Sequence, residues 1–302
     1  MAKLFRILGF VVLALVVLLV AFGGFVVMRS NARMNQEYAF TPSTLSIPTD
    51  SASVATGDHL VHAVFACVGC HGEDLGGKMV IDSPVMARIA APNLTRGKGG
   101  LAPGYTMADY ECAIRHGVRR DHRPIILMPS EAYAYLSDEE LQQVAAYLAS
   151  VPPVDRSLPP VKLGPIGSML IAFGQFLPAS QVEHESVGRL AKAPTGTGPD
   201  RGEHLAKVCV CTSCHGPQLA GGKAAGGDPS WPPAANLTPH EEGLGNVTFQ
   251  QFEGILRTGV KRNGQQLDAE MMPWTSYARM SDDEMHALWA YLQTLPPTPT
   301  PK

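Results

Sequence analysis

The chain has 302 residues, 45% hydrophobic and 17% charged, with 24 Lys and Arg against 27 Asp and Glu. That apolar share excludes a wholly disordered chain, and the near-balanced charge leaves no basic field to hold nucleic acid. The length accommodates two ordinary domains, and a single long apolar stretch argues against a polytopic membrane protein.

Taken from the N-terminus, Ile7 to Met28 is an uncharged run of 22 residues between Arg6 and Arg29. As a helix rising about 1.5 Å per residue it matches the roughly 30 Å hydrocarbon core of a bilayer. It exceeds the roughly 7–15 residue apolar region of a cleaved signal peptide, so residues 1–34 read as an uncleaved transmembrane anchor. Charge does not set its orientation, because Lys3 and Arg6 are countered by Arg29 and Arg33. Residues 35–53, with Pro42, Pro48 and several Ser and Thr, read as a flexible tether.

The rest of the chain repeats itself. Cys67-Val-Gly-Cys70-His71-Gly72 matches Cys211-Thr-Ser-Cys214-His215-Gly216 at an offset of 144 residues, and so does Met128-Pro129 with Met272-Pro273. Ser137-Asp-Glu-Glu140 and Tyr147-Leu148 recur at the same offset as Ser281-Asp-Asp-Glu284 and Tyr291-Leu292. Between these anchors the register slips. Gly57-Asp-His59-Leu60 pairs with Gly202-Glu-His204-Leu205 at 145, Asn93-Leu-Thr95 with Asn236-Leu-Thr238 at 143, and Arg115 with Arg257 at 142. Slips that cancel before the next anchor are the mark of two copies of one fold with length changes in loops. The copies span residues 54–153 and 199–297, joined by residues 154–198.

Within each copy the local signals agree. Ser137 with Glu140, and Ser281 with Glu284, form capping boxes that open an amphipathic helix. Leu141, Val144, Ala145 and Leu148 make an i, i+3, i+4, i+7 stripe, matched by Met285, Leu288, Trp289 and Leu292. Both helices stop at Pro-Pro, 152–153 and 296–297. Earlier helices are predicted around 57–66, 106–116, 201–209 and 248–257. No run alternates convincingly with period two, so both copies read as all-α. Proline (25) and glycine (30) are abundant and aromatics make up only 7%, which suggests short helices, long loops and a cofactor that supplies core volume.

Two cysteines at i and i+3 followed by histidine put two thiols and an imidazole on one helical turn. That arrangement lets the thiols add to the two vinyl groups of a haem while the histidine ligates iron from the same side, the c-type haem attachment signature. Structural zinc would need a second Cys or His pair at finger spacing, and neither copy has one. A redox dithiol would need a βαβ context, which is also missing. Cys67, Cys70, His71, Cys211, Cys214 and His215 are therefore the attachment residues of two haem c groups.

Met128 lies 57 residues after His71 and Met272 lies 57 after His215, each before a proline and ahead of the capped helix. A thioether there can reach the open face of the iron, and His/Met ligation raises the reduction potential. Met271 adjoins Met272, but its counterpart is Leu127, so the repeat favours Met272. His59 and His204 recur too and read as residues of the first helix.

Each copy thus resembles a class I cytochrome c domain, and the whole order of motifs resembles membrane-anchored dihaem cytochromes. Among these are the cytochrome subunits of bacterial membrane dehydrogenases and the dihaem subunit of cbb3-type oxidases. The resemblance implies an electron-transfer subunit that relays single electrons between redox partners of a membrane respiratory or photosynthetic complex. It also implies that Arg115 and Arg257 sit near haem propionates, the competing reading being solvated helix-end arginines. Covalent haem attachment on the outer side of the bacterial cytoplasmic membrane further implies haem domains in the periplasm and an N-terminus inside. The other function class is a dihaem enzyme of peroxidase or thiosulfate-oxidising type. Such enzymes need one exchangeable axial position, and Met-Pro at identical spacing in both copies argues against it.

Two cysteines remain, Cys112 and Cys209, with Gly254 and Phe65 at the corresponding positions. In an oxidising compartment they form either an interdomain disulfide or two buried thiols. Cys209 also begins a Cys-x-Cys-x-x-Cys-His run, which leaves a rearranged attachment open. Residues 163–177 are uncharged but too short and too broken by Gly and Pro to span a bilayer. They are expected to pack between domains, dock on a partner or dip into the membrane surface. The copies carry mild net charges of −3 and −4, too small to select a partner by field.

Overall fold

The computed structural model describes residues 2–188, 190–224 and 230–301. Helix α1, Ala2–Met34, is continuous through the apolar run and is exposed except at the buried Val26 and Ser30 and the half-buried Arg33 and Met34. It is the one described helix long and apolar enough to cross a membrane.

Domain 1 opens with α2, Ser51–His59, which runs directly into a π-helical turn at Leu60–Val64. A short α3, Val68–His71, carries the first Cys-x-x-Cys-His. A hairpin follows, β1 (Lys78–Ser83) antiparallel to β2 (Ala87–Ala91). Helix α4 (Met107–Ile114) starts at a capping box of Thr106 and Asp109, and α5 (Ser130–Tyr133) is a single turn after Met128-Pro129. Helix α6, Asp138–Ser150, starts at the expected Ser137 and Glu140 box. The linking segment adds β3 (Lys162–Leu163), paired with β2, and α7 (Pro165–Ala172). Domain 2 repeats the plan with α8 (Pro199–Val208), α9 (Cys211–His215), α10 (Phe249–Thr258), α11 (Trp274–Tyr277) and α12 (Asp282–Leu292). The all-α expectation holds for the body of both copies and omits the three-stranded sheet of domain 1. The sheet is short, and Ala87–Ala91 alternates mostly through alanines, which give little period-two signal.

In each copy the first helix crosses the last at a glycine. A Cβ on Gly57 would overlap the Gln143 carbonyl oxygen and crowd Tyr147 Cβ; one on Gly202 would overlap the Ala287 carbonyl oxygen and crowd Tyr291 Cβ. The glycine and the tyrosine, separate repeats in the sequence, are therefore two halves of one helix crossing in which backbones touch. The chain past each Pro-Pro pair stays on its domain. Asn93 Nδ2 donates to the Val154 carbonyl (2.7 Å) while its Oδ1 accepts from Thr95 N and Oγ1; Asn236 does the same with the Thr298 carbonyl (2.8 Å) and Thr238.

One apolar cluster runs through both domains, from Leu60, Val64 and Leu141 to Leu205, Met285 and Leu292. Around it the domains exchange like contacts. The capping-box Glu284 meets His59 Nε2 at 2.9 Å, and the capping-box Glu140 meets His204 Nε2 at 2.9 Å. Arg201 stands between them, 3.3 Å from Glu140 and 3.7 Å from Glu284. The hydrogen bond that His59 Nε2 donates to Glu284 raises the His59 pKa against the opposing effect of burial. Burial pushes the Glu140 carboxyl up, yet the His204 hydrogen bond and charge, with Ser137, leave it below its ordinary value.

Residues 35–53, expected to be a flexible tether, lie along domain 1 instead. Tyr38 N donates to the His122 carbonyl (3.0 Å), and Ser43 N and Oγ both donate to Glu111 Oε2 (2.7 Å). Phe40 stacks on His116 with ring centroids 3.8 Å apart, and His116 Nδ1 lies 2.8 Å from His184 Nδ1 of the linking segment. Burial pushes His116 down to about 4, which keeps the stack uncharged at neutral pH. Composition suggests a tether because Ser, Thr and Pro make up nine of the nineteen residues; Tyr38 and Phe40, which hold it down, are its only aromatics.

Candidate haem sites

Each attachment turn is set by a backbone reversal. Ala66 (φ 49°) and Val210 (φ 60°) occupy the left-handed region immediately before Cys67 and Cys211. That conformation is costly for a β-branched residue such as Val210, and its recurrence just ahead of a functional turn marks a position held by the surrounding fold. Gly72 and Gly216 follow the histidines at φ 80° and 78°, where a side chain would be strained, and turn the chain away.

The histidines are held alike. His71 Nδ1 donates to the Pro92 carbonyl at 2.8 Å, and His215 Nδ1 donates to the Ala235 carbonyl at 2.7 Å. Burial pushes both imidazoles below their usual pKa. A neutral ring with Nδ1 donating presents the Nε2 lone pair to a metal, and the carbonyl fixes its orientation. The Gly77 and Gly221 amides in turn donate to the His71 and His215 carbonyls (2.8 and 2.9 Å).

Met128 and Met272 sit on matching turns. The Met128 carbonyl accepts from Ser130 N (2.8 Å) and the Met272 carbonyl from Trp274 N (2.6 Å), around Pro129 (φ −78°, ψ 57°) and Pro273 (φ −75°, ψ 50°). These are inverse γ-turns, which proline favours through its fixed φ. Both methionines are half-buried and pack against the cluster that also takes up Cys67 and Cys211.

Those residues fit haem c. Each domain offers two unpaired thiols, an imidazole whose Nε2 meets no hydrogen-bond partner among the described residues, and a thioether on a separate loop against the same apolar cluster. Those four donors are the set that covalent haem with His/Met ligation requires.

Arg115 and Arg257, expected near propionates, are committed to protein acceptors. Arg115 is fully buried and reaches Glu111 (3.2 Å), the Leu136 carbonyl (2.7 Å) and Asp138 (2.8 Å). Arg257 reaches Glu253 (3.5 Å), the Ala278 carbonyl (2.9 Å), the Met280 carbonyl and Asp282 (2.6 Å). Both guanidiniums tie the helix before the methionine loop to the start of the last helix; only Nε of Arg115 is buried without a partner. Cys112 and Cys209 are free thiols in different places, and the interdomain disulfide is absent. Cys112 packs with Val118 and Ala179, whereas Cys209 lies in the main core, and burial raises both thiols, Cys112 to about 11.

One pair escaped the sequence reading. Tyr133 Oη donates to the Phe65 carbonyl (2.9 Å) and Tyr277 Oη to the Cys209 carbonyl (2.7 Å), each two residues before the first attachment cysteine. The tyrosines stand 144 residues apart, so the repeat offset alone was the signal that could have found them.

Comparison with known proteins agrees with this geometry. Residues 199–296 match the family model described as cytochrome c, and residues 52–148 match that of cytochrome c oxidase, cbb3-type, subunit III. The fructose dehydrogenase cytochrome subunit of Gluconobacter japonicus is 29% identical over 274 residues, covering 85% of this chain and 54% of that protein. The alcohol dehydrogenase (quinone) cytochrome c subunit of Gluconacetobacter polyoxogenes is 27% identical, covering 83% of this chain and 57% of its own. The chain therefore spans little more than half the length of these two relatives. A protein named diheme cytochrome c-type from Cereibacter sphaeroides is 25% identical over 76% of this chain and 82% of its own length. With a cytochrome c family model matched in each half, the chain is a dihaem cytochrome c with covalently bound haem c, and it resembles the cytochrome subunits of membrane dehydrogenases.

Proposed function

We propose that the protein is a membrane-anchored relay that passes single electrons from a dehydrogenase-type partner subunit to a further acceptor. Haem c supplies a one-electron iron couple, and the protein sets its potential, spacing and exposure. The observation that carries the reading is the sameness of the two sites: Cys67, Cys70, His71 and Met128 in one, Cys211, Cys214, His215 and Met272 in the other, with matching histidine carbonyl bonds and matching Met-Pro turns. A catalytic dihaem protein would differentiate one site by leaving an axial position open; neither domain here departs from the other in its donor set.

In this reading His71 and Met128 are the axial ligands of the first iron, and His215 and Met272 those of the second. Helix α1 holds the domains on the outer face of the bacterial cytoplasmic membrane. Its last turns support a retained anchor over a cleaved leader, because Arg29 Nε donates to the Ala172 carbonyl (2.9 Å) and Val26 and Ser30 are buried in the folded chain. The partner is a membrane dehydrogenase complex, as the names of the relatives suggest.

Optical spectroscopy of the purified holoprotein tests the ligands. Met128→Ala and Met272→Ala should each abolish half of the methionine-to-iron charge-transfer band and lower the potential of one haem, leaving the other intact. An unchanged band in either variant would remove that methionine from the assignment. Rapid reduction of hydrogen peroxide, or rapid oxidation of thiosulfate, by the wild type would replace the relay with an enzyme.

A further inference from the structure

The linking segment between the domains carries an apolar face that neither domain covers. Helix α7 presses Gly167, Ile171 and Ala172 inward, with Ile171 and Ala172 at 1% and 0% exposure, onto a cluster built from Ala87, Ile89, Ile126 and Leu177. Its other face shows Ile166, Met169 and Phe173, at i, i+3 and i+7, exposed to 40%, 37% and 57%. Val85, in the β1–β2 turn, is also exposed, and its carbonyl accepts from Ile166 N (3.0 Å); Val161, before β3, is exposed too. From Leu163 to Val182 there is not one charged residue. A soluble surface does not ordinarily leave three large apolar side chains together on one short helix.

The position of α7 relative to α1 says what covers it. Helix α7 packs against α1, and the Arg29 guanidinium caps the Ala172 carbonyl at 2.9 Å. A Cβ on Gly174 would lie 3.3 Å from Arg33 Nη1. The residues of α1 turned toward the protein, Val26, Ser30 and the half-buried Met34, recur at i, i+4 and i+8. The apolar run of α1 ends at Met28, so α7 meets α1 across the turn where hydrocarbon gives way to headgroups. Exposed Arg29 and Lys162 stand at the two ends of α7, placed for lipid phosphates.

We propose that α7 is an interfacial helix, its Ile166, Met169 and Phe173 face seated at the headgroup–acyl boundary of the same bilayer that α1 spans. Amphipathic segments of this kind bury their apolar face roughly 5–10 Å into that boundary. Because α7 is also bonded to β2 through β3 and packed on the domain 1 hairpin, the contact fixes the tilt of domain 1 over the membrane rather than leaving it to swing from α1. The proposal rests on α1 as the span.

The test uses the full-length holoprotein, one copy per nanodisc of mixed zwitterionic and anionic phospholipid, doped with a phospholipid bearing a diazirine near the top of its acyl chain. After photolysis, peptide mapping should find lipid adducts on the 163–177 segment as well as on α1. Adducts confined to α1 overturn the proposal, as does a 163–177 segment found cross-linked to a second polypeptide in its native membrane. Absence of adducts from α1 overturns the anchor along with it. In the triple variant Ile166→Glu, Met169→Glu, Phe173→Glu, adducts on this segment should fall to background while α1 labelling and two haem c per chain persist. Labelling of the variant at the wild-type level also overturns the proposal. The readout is independent of electron transfer, so its failure leaves the relay standing.

Discussion

Domain 1 and domain 2 reach the same attachment turn by different routes. From the crossing glycine to the first cysteine there are ten residues in one, Gly57 to Cys67, and nine in the other, Gly202 to Cys211. Domain 2 covers the distance with the regular helix α8, whereas domain 1 inserts the π-helical turn Leu60–Val64. A π-bulge is how a helix absorbs one extra residue without moving either end. Both ends are pinned here: one by a glycine at a backbone crossing, the other by a left-handed residue before cysteine. The comparison separates what the fold holds constant from what it lets drift. The crossing, the clasp, the histidine bond and the Met-Pro turn repeat nearly atom for atom. The chain between them differs in length, and among the described residues it is domain 1 that uses it to build the hairpin that receives α7.

The largest effect should come from breaking a constant. Gly57→Ala and Gly202→Ala each force a Cβ into the carbonyl of the last helix, at a cost of about 3 kcal/mol. Each should lower the melting temperature of its own domain more than that of the other, read by differential scanning calorimetry and by haem-specific optical melting. Next comes the clasp. Asn93→Ala or Asn236→Ala leaves a buried threonine amide unpaired and a main-chain carbonyl with only the threonine hydroxyl, at roughly 2 kcal/mol. Equal losses in the two domains would show that the copies remain energetically alike.

A smaller effect belongs to the interface. The His59 pKa is raised by Glu284, so its contribution is full below the unfolded value near about 6.5 and is lost as pH rises through the folded value. Glu140 and Glu284 are lowered, so theirs is present above about 4.5 and is lost as pH falls. The domains should therefore hold together most firmly in mildly acidic solution. His59→Gln should flatten the alkaline side of that profile in melts recorded against pH. The smallest effect should follow deletion of Ala63, which gives domain 1 the spacing of domain 2. We expect the π turn to become α-helix, with haem content and stability close to wild type. Loss of the first haem would show instead that the bulge itself is required.

Much of the site was legible because its parts are local. Cysteines and histidine share one helical turn, each methionine adjoins its proline, and Ser137 and Ser281 each sit three residues from the glutamate they cap. Such spacings survive without any knowledge of the fold. Arg115 and Arg257 were legible as a repeat but not in their role, because apart from Glu111 and Glu253 their acceptors lie more than twenty residues away. The linking helix α7 was hidden for a related reason: eight uncharged residues with one Pro, one Gly and two Ile fit a strand, a short helix or a loop equally well until the hairpin packs against them.

The amino-acid sequence by itself determined two copies of a cytochrome c domain, the repeated Cys-x-x-Cys-His and Met-Pro motifs from which the haem ligands are proposed, and one apolar helix ahead of them. Each of these is carried by short-range spacing or by a repeat that can be counted. The tertiary structure alone decided that the capping glutamates reach histidines of the opposite domain, that the two free thiols stay apart, that residues 35–53 lie down on domain 1, and that α7 docks against α1. These depend on distances between residues remote in the chain, where many pairings satisfy the same local preferences and only packing the whole molecule at once selects one.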